Sequence, residues 1–481
     1  MKHPVTRLMN WPNALVVIYL CLTTQFLRAQ DGVLDTSFAP PGKPYVHAIQ
    51  KLKNGNILIG YCQAMAGGII TVDASGREVP FSLKGAPLQI EFSGQQRYIN
   101  DFIEQPDGKI IVVGGNSDPR ITRHNSDGSL DSAFMKNIGK GPNLRLYQGV
   151  LEPNGKMTFI GEFTSWNDKT AGKIIRLNPD GTIDETFNCT GTTSVLGFSD
   201  IHLLPDGRYY LAGPNISVFD GQTASANFIR ILPNGNVDTT MKAPQDFKPH
   251  KIGVQSDGRV VGYTPTQILR IFPDGKLDDS YQFINTQAGN KASTPEGLHM
   301  QKDDKFIVVG AMTKIKNVNV NNICRLNADG SFDASFATGP GASTNILTSQ
   351  LTDDGSVLLG GMFFKYDGID RSYVARLKNA TGPRAPENLF TSISEAPLIS
   401  DFTVFPIPAA NTLFVQLPEG HVPAEYNVSF YDYLGQHLHT TPCVERETMI
   451  TLPSDFPRGV VLCSVINSTT SKRFTRRIVV E

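Results

Sequence analysis

Two short phrases alternate along most of the chain, and their spacing limits the fold more than any other feature. The first is a turn box, a glycine turn followed by an aspartate and usually a closing aromatic. It reads "DGVLDTSF" (31–38), "DGSLDSAF" (127–134), "DGTIDETF" (180–187), "NGNVDTTM" (234–241), "DGKLDDSY" (274–281) and "DGSFDASF" (329–336), with a degenerate copy "SGREVPF" at 75–81. Between the boxes runs the second phrase: "NGNILIGY" (54–61), "DGKIIVVGG" (107–115), "NGKMTFIGEF" (154–163), "DGRYYLAG" (206–213), "DGRVVGY" (257–263), "DDKFIVVGA" (303–311) and "DGSVLLGGMF" (354–363). Both occur seven times. A period of roughly 50 residues marks a solenoid or a propeller.

Each unit reads as four antiparallel strands. A mixed strand such as "YVHAIQKL" (45–52) turns at Asn-Gly or Asp-Gly into a β-branched run such as "NILIGY". Asx-Gly is the strongest short hairpin signal, and both turn residues are expected at positive φ. A third strand ends in arginine, as in "KIIRL" (173–177) or "YVARL" (373–377), and a further turn leads into the box. With 44 glycines, 31 prolines and only 19% charged residues, short strands and turns are favoured over long helices. The expected fold is all-β: a seven-bladed β-propeller of four-stranded blades over residues 30–380. An open β-solenoid is the alternative, but its repeats are usually shorter. The first box has no arginine strand before it, and the last arginine strand has no box after it. A closed ring requires these two to meet, with Asp35 beside Arg376, or two raw sheet edges face water.

The stretch "RLNPDGTIDETF" (176–187) also has oxygen-bearing residues at several calcium-loop positions. Its first position is Arg176, where such a loop needs aspartate, and its twelfth is Phe187, where it needs a bidentate glutamate. No metal is expected. The same spacing pairs Arg176 with Asp184, Arg230 with Asp238 and Arg325 with Asp333, as well as 123 with 131 and 270 with 278. We expect each arginine to fix its blade's corner through that aspartate or nearby carbonyls.

Together, "RLNPDGTIDETF" and "DGKIIVVGG" resemble the delta-60 repeat of secreted bacterial β-propellers, over residues 31 to about 380. The resemblance implies a binding or interaction module and no particular activity.

The flanks have a different character. Residues 1–29 read as a signal peptide, with a basic start at Lys2, His3 and Arg7, an apolar stretch from Ala14 to Leu27, and a cleavage point at Ala29-Gln30. No later run is long and apolar enough for a membrane span. Lys plus Arg (44) balance Asp plus Glu (45), which gives no electrostatic footprint for nucleic acid. Residues 381–400 read as a linker. From 401 to 481 about seven short strands predict a small β-sandwich. This tail resembles the type A sorting domain of the Bacteroidetes type IX secretion system. The family's motifs fall on Pro406 and Pro408, on Asp432 with Gly435, on Gly459, and on the basic strand from Lys472 and Arg473; Ile407 replaces the usual asparagine. The resemblance implies passage through the periplasm, recognition by the secretion machinery, and release or display at the outer surface. Cys443 and Cys463 are a possible disulfide, with free thiols as the alternative.

Motifs for a nucleophile elbow, a zincin helix or a phosphate loop do not occur, and no catalytic residue or cofactor is assigned. The units differ most at the start of the first strand, eight and seven positions before the turn glycine. Those positions hold His47, Asn100 with Asp101, Tyr147 with Gln148, Asp200, His250 with Lys251, and Glu296. If that strand lines the axis, these residues ring one opening that takes an extracellular glycan or protein. The alternative to such a non-catalytic binding module is a hydrolase or lyase with its site at the same mouth.

Overall fold

The computed structural model describes residues 30–63, 66–81, 83, 99–114, 119–189, 197–213, 218–219, 222–223, 227–281, 284–288, 293–315, 318–384, 402–405, 411–417, 422–431, 437–453, 456–467 and 473–480. The signal-peptide reading and the linker from 385 onward lie outside these residues. Two compact units emerge, one of residues 1–203 and 207–385 and the other of residues 204–206 and 386–481.

Among the described residues the first unit is built on seven antiparallel sheets that each start from an inner strand, with three two-stranded hairpins besides. Their innermost strands are Val46–Lys51, Ile99–Glu104, Leu146–Leu151, Asp200–Leu203, Lys251–Val254, Thr294–Met300 and Ile346–Leu351. Each inner strand neighbours the next one in chain order, and the seventh returns to the first. This ring of radiating sheets is a β-propeller. Its middle strands, such as Ile110–Gly114 and Met157–Gly161, are wholly buried, as expected for β-branched runs packed on both faces.

Three details depart from the sequence expectation. First, six of the seven ladders hold three strands, the fifth running on from its third strand into a six-stranded sheet, and the expected fourth strand shrinks to a single bridge such as Leu177 with Ile183 or Ile231 with Val237. The box aspartate explains this. Asp184 Oδ1 accepts from the Thr186 amide at 3.1 Å and the Thr186 hydroxyl at 2.7 Å, which curls the chain out of the ladder one residue after the bridge. Second, only the glycine of each Asx-Gly turn has positive φ, for example +86° at Gly55, and Asp304 takes that role at +62° in the sixth sheet. The turn is closed by Gly55 N donating to Leu52 O at 2.9 Å. Third, the box of the second sheet continues into a helix, Ser132–Ile138, capped by Asp131 and burying Phe134 and Ile138.

In six of the seven sheets an arginine at the end of the third strand organises the corner. Arg176 Nε donates to Asp184 Oδ2 at 2.6 Å, Arg230 to Asp238 at 2.7 Å and Arg325 to Asp333 at 2.7 Å; Arg123 with Asp131 and Arg270 with Asp278 repeat the geometry. The guanidinium also lies over the closing aromatic, 4.6 Å from the Phe187 centroid and 4.9 Å from that of Phe336. A second cation, the basic residue after the turn glycine, reaches the same carboxylate: Lys156 Nζ to Asp184 at 2.8 Å and Lys305 Nζ to Asp333 at 2.8 Å. Burial alone would raise the Asp184 carboxyl, but hydrogen bonds from Lys156, Thr186 and Arg176 outweigh it and hold the pKa far below the usual carboxylate range.

The ring closes through its two ends. Leu34 bridges Leu377, Asp35 N donates to Arg376 O at 2.8 Å, and Lys378 N donates to Val33 O at 2.8 Å. Arg376 Nε reaches Asp35 Oδ2 at 2.8 Å and lies over Phe38. Leu34 packs with Phe363 and Leu377, while Phe38 packs among Val46, Ile59 and Val374. The first box thus completes the seventh sheet.

The second unit has two antiparallel sheets. One joins Thr403–Phe405, Thr412–Gln416 and Glu447–Thr451; the other joins His437–Pro442, Tyr426–Tyr431, Gly459–Asn467 and Arg473–Val480. Leu413, Val415 and Ile450 from the first share a core with Val428, Phe430, Val461 and Ile478 from the second. Cys443 and Cys463 are both buried free thiols.

Removing residues 31–40 is expected to lower stability by several kcal/mol, since burying Leu34 and Phe38 contributes about 1.5–3 kcal/mol each. Urea titration of the deletion variant beside the full chain measures this, and an unchanged midpoint would contradict the closure. Replacing Arg176 with methionine should cost about 3 kcal/mol by leaving buried Asp184 with Lys156 alone. Breaking the exposed Lys140–Asp168 pair should change stability by less than about 0.5 kcal/mol in the same assay.

Candidate functional site

A cavity of about 530 Å³ lies where the inner strands converge. Its lining includes His47, Asn100, Asp101, Tyr147, Gln148, Asp200, Lys251 and Glu296, so eight of the nine residues expected at the opening meet in one space. His250 does not. It lines a separate cavity of about 630 Å³ with Pro244, Phe247 and Gln267.

Strand parity accounts for that correction. Five inner strands shift register near their start, between residues 46 and 48, 99 and 101, 146 and 148, 295 and 297, and 346 and 348. The extra residue of such a bulge is re-aimed, so neighbours no longer take strictly opposite faces. Asn100 with Asp101 and Tyr147 with Gln148 therefore reach the same space. The fifth sheet pairs without a shift, from Lys251 with Tyr263 to Val254 with Val260. Alternation then holds, with Lys251 toward the axis and His250 away from it.

Several lining side chains hold neighbouring backbone. Asp101 Oδ2 accepts the Gly149 amide of the next inner strand at 3.0 Å, and its Oδ1 accepts the Phe102 amide at 2.9 Å. Asp200 Oδ2 accepts the Ile252 amide at 2.8 Å, and Gln148 Oε1 accepts the Ile201 amide at 3.4 Å. Asn100 Nδ2 donates to the Leu146 carbonyl at 2.5 Å. The Tyr147 hydroxyl bonds Glu162, which also pairs with Arg145 at 2.8 Å. Lys251 Nζ donates to the Ser199 carbonyl at 3.1 Å.

Burial shapes the titration of the site. It raises the Asp101 and Glu296 carboxyls to about 7, with Lys251 opposing the shift in each case, and it raises Asp200 as well. His47 is pulled down to about 4 by burial. His202 and His299 behave alike, and both belong to the lining although the sequence reading missed them. His202 lies two positions beyond Asp200 on the same strand face, so extending the period of two by one step would have found it, whereas His299 lies three beyond Glu296, next to a register shift that changes parity. His299 Nε2 meets the Ser349 hydroxyl at 2.7 Å.

Of the residues assigned to sorting, Pro406, Pro408, Asp432, Gly435 and Lys472 lie outside the described residues. Gly459 and Arg473 open the strands Gly459–Asn467 and Arg473–Val480. Among the described residues no helix is long and apolar enough to cross a membrane.

The family model described as a domain of unknown function (DUF5122) with a β-propeller fold matches residues 105–134, 152–187, 301–336 and 352–380. Each match runs over strands of one sheet, in the second, third, sixth and seventh sheets. No curated protein matches the chain. Among solved structures it is similar to PorZ, an essential bacterial surface component of the type-IX secretion system of Porphyromonas gingivalis, at 15% identity and TM-score 0.42, covering 93% of this chain and 61% of that one. It is also similar to the extracellular domain of the putative hybrid two-component system BT4673 from B. thetaiotaomicron, at 12% identity and TM-score 0.44, covering 94% and 59%. A gluconolactonase from Xanthomonas campestris follows at 11% identity and TM-score 0.32, covering 56% and 84%. The chain thus spans about three fifths of the length of the first two.

Glu296 provides a stability test. A carboxyl whose folded pKa lies above its unfolded value holds its proton longer when folded, so stability falls as pH climbs from the ordinary value of about 4.3 toward 7. Glu296→Gln removes that penalty. The variant should gain on the wild type through this window, by on the order of 1–3 kcal/mol at pH 8, and match it near pH 4. Denaturant midpoints across the range check this, and a pH-independent difference would contradict it.

Proposed function

We propose that the chain is a seven-bladed propeller exported by the type IX secretion route and acting outside the cell as a non-catalytic binding module. The observation that carries the non-catalytic reading is the engagement of Asp101, Gln148 and Asp200 with backbone amides of the next blade. An acceptor tied to its own scaffold is poorly placed to serve as base or nucleophile, roles that need direct reach to a reacting atom. What remains is a polar cavity with single charged groups and hydroxyls, chemistry suited to orienting a ligand.

The export half of the reading rests on the sequence of the tail. The Tyr-Asp-x-x-Gly hairpin, the turn at Gly459 and the basic last strand follow the order of a sorting domain, and the two sheets sharing a core agree with a small β-sandwich. A hydrolase or lyase is the second reading, and it draws on Glu296, whose carboxyl is raised to about 7 and is thereby suited to donate a proton.

One preparation tests both halves. A chain lacking residues 401–481 should accumulate folded in the periplasm, while the full chain reaches the medium or the cell surface. Normal surface arrival of the truncated chain would overturn the export route. The secreted protein is expected to bind a ligand on glycan or peptide arrays and to leave chromogenic glycosides intact. Turnover abolished by Glu296→Gln would favour the enzyme.

A further inference from the structure

The two faces of the ring differ in kind. Antiparallel pairing puts the start of each inner strand beside the end of its middle strand, as Ile346 opposite Gly361 and Leu146 opposite Gly161 show. The connection from middle to third strand therefore emerges on the face where the axial residues begin, and the Asx-Gly turns lie on the other face. Four of those connections carry short hairpins among the described residues: Ser165–Trp166 with Lys169–Thr170, Val218–Phe219 with Gln222–Thr223, Lys314–Ile315 with Val318–Asn319, and Lys365–Tyr366 with Ile369–Asp370.

Exposed apolar side chains follow the same division. In the propeller the large exposed hydrophobics among the described residues are Tyr45, Leu144, Val318, Phe364 and Ile369. Every one lies at the start of an inner strand or on a hairpin connection, hence on the cavity's face. Phe364 is 57% exposed and Ile369 41%, and they flank one hairpin of the seventh blade, whose Thr348 and Ser349 line the cavity. Apolar groups gathered on one face and kept off the other mark that face for contact with another molecule.

Charge selects the occupant. The cavity lining offers the carboxyls of Asp101, Asp200 and Glu296 against one ammonium, Lys251, whose proton-bearing head is already bonded to the Ser199 carbonyl. The imidazoles of His47, His202 and His299 add no positive charge near neutral pH. Above about pH 7, where Asp101 and Glu296 are ionised, a cation entering this space meets an excess of acceptors, and an anion does not.

Resting on the binding-module reading, we propose that this face docks an extended protein segment that inserts one lysine or arginine into the axial cavity and lays apolar neighbours on Phe364 and Ile369. The cation faces Glu296 and the bonded pair His299–Ser349, whereas the carboxylates of Asp101 and Asp200, already accepting amides, contribute field more than direct bonds. The polypeptide class follows from exposed apolar side chains on the same face as an acidic pocket, which a neutral glycan would leave uncovered.

The test uses the full chain at pH 8, where the raised carboxyls are ionised, and a fluorescein-labelled heptapeptide, Ser-Leu-Phe-Lys-Leu-Phe-Ser, beside its glutamine counterpart. Anisotropy should show the lysine peptide binding at least about tenfold tighter. Glu296→Gln should weaken the lysine peptide about tenfold and leave the glutamine peptide unchanged. Lys251→Gln, which removes the competing ammonium, should tighten the lysine peptide several-fold, and Phe364→Ser should weaken both peptides. Equal affinity for the two peptides, or a lysine preference insensitive to both cavity variants, would overturn the proposal. A glycan bound on the array without any peptide preference would overturn it while sparing the binding-module reading. Absence of any ligand in either format would overturn both.

Discussion

The guanidinium at the end of each third strand is the interaction on which the ring depends, because each one serves two sheets. Its Nε holds the aspartate of its own corner, while another nitrogen reaches the turn of the following sheet: Arg176 to the Pro233 carbonyl, Arg230 to Pro273, Arg270 to Ala328 and Arg376 to Ala74. Arg123 reaches Pro179, and Arg325 reaches Asn379 with Asp31. A planar donor with five N–H groups can meet a carboxylate, an aromatic face and a carbonyl at once, which lysine cannot. The first sheet is the informative exception. Thr71 stands where the arginine would be and Val79 where the aspartate would be, although Val79 N still donates to Thr71 O at 2.9 Å as Asp184 N does to Arg176 O. Both charges are missing together while the backbone corner persists. That is the pattern expected if a lone buried charge costs more than an apolar corner.

The axial cavity arises from a different economy of backbone groups. An inner strand pairs on one side only, so half of its amides point toward the neighbouring inner strand and need acceptors. The second, third and fourth sheets supply them with Asp101, Gln148 and Asp200, side chains that a reading of charged rim residues takes for ligand groups. The fifth supplies Lys251, which has no acceptor to give, and the sixth supplies Gly297 at the equivalent position. One side of the cavity is thus occupied with holding sheets together, and the other presents Glu296, His299 and Ser349.

Much of this was legible in the sequence, for identifiable reasons. Turn glycines, the arginine-to-aspartate spacing and the unmatched first box state local chemistry that repeats, and repetition separates signal from chance. The closure of Asp35 on Arg376 was readable because a ring leaves no other partner for either residue. The basic residue at the start of the middle strand was present in five copies and went unread, since its partner, the box aspartate, lies about 20 to 30 residues further along the chain. His250 was misplaced because bulges change parity without changing any residue type. The helix at Ser132–Ile138 was hidden by the box it grows from: "DSAF" matches its siblings, and the apolar pair Phe134 and Ile138, four apart, is too short a pattern to announce a helix.

The closing contact also sets the order of events in time. Asp35 and Arg376 are 341 residues apart, so joining them in a flexible chain costs about 5 kcal/mol of loop entropy, and little of the ring can form around them until the intervening sheets have condensed. At typical synthesis rates of about 5–20 residues per second, the first box exists for on the order of tens of seconds before its partner strand has been made. Until that strand joins, any sheets that have condensed form an arc with two open edges rather than a ring. Its final state is decided late, by the last strand to arrive.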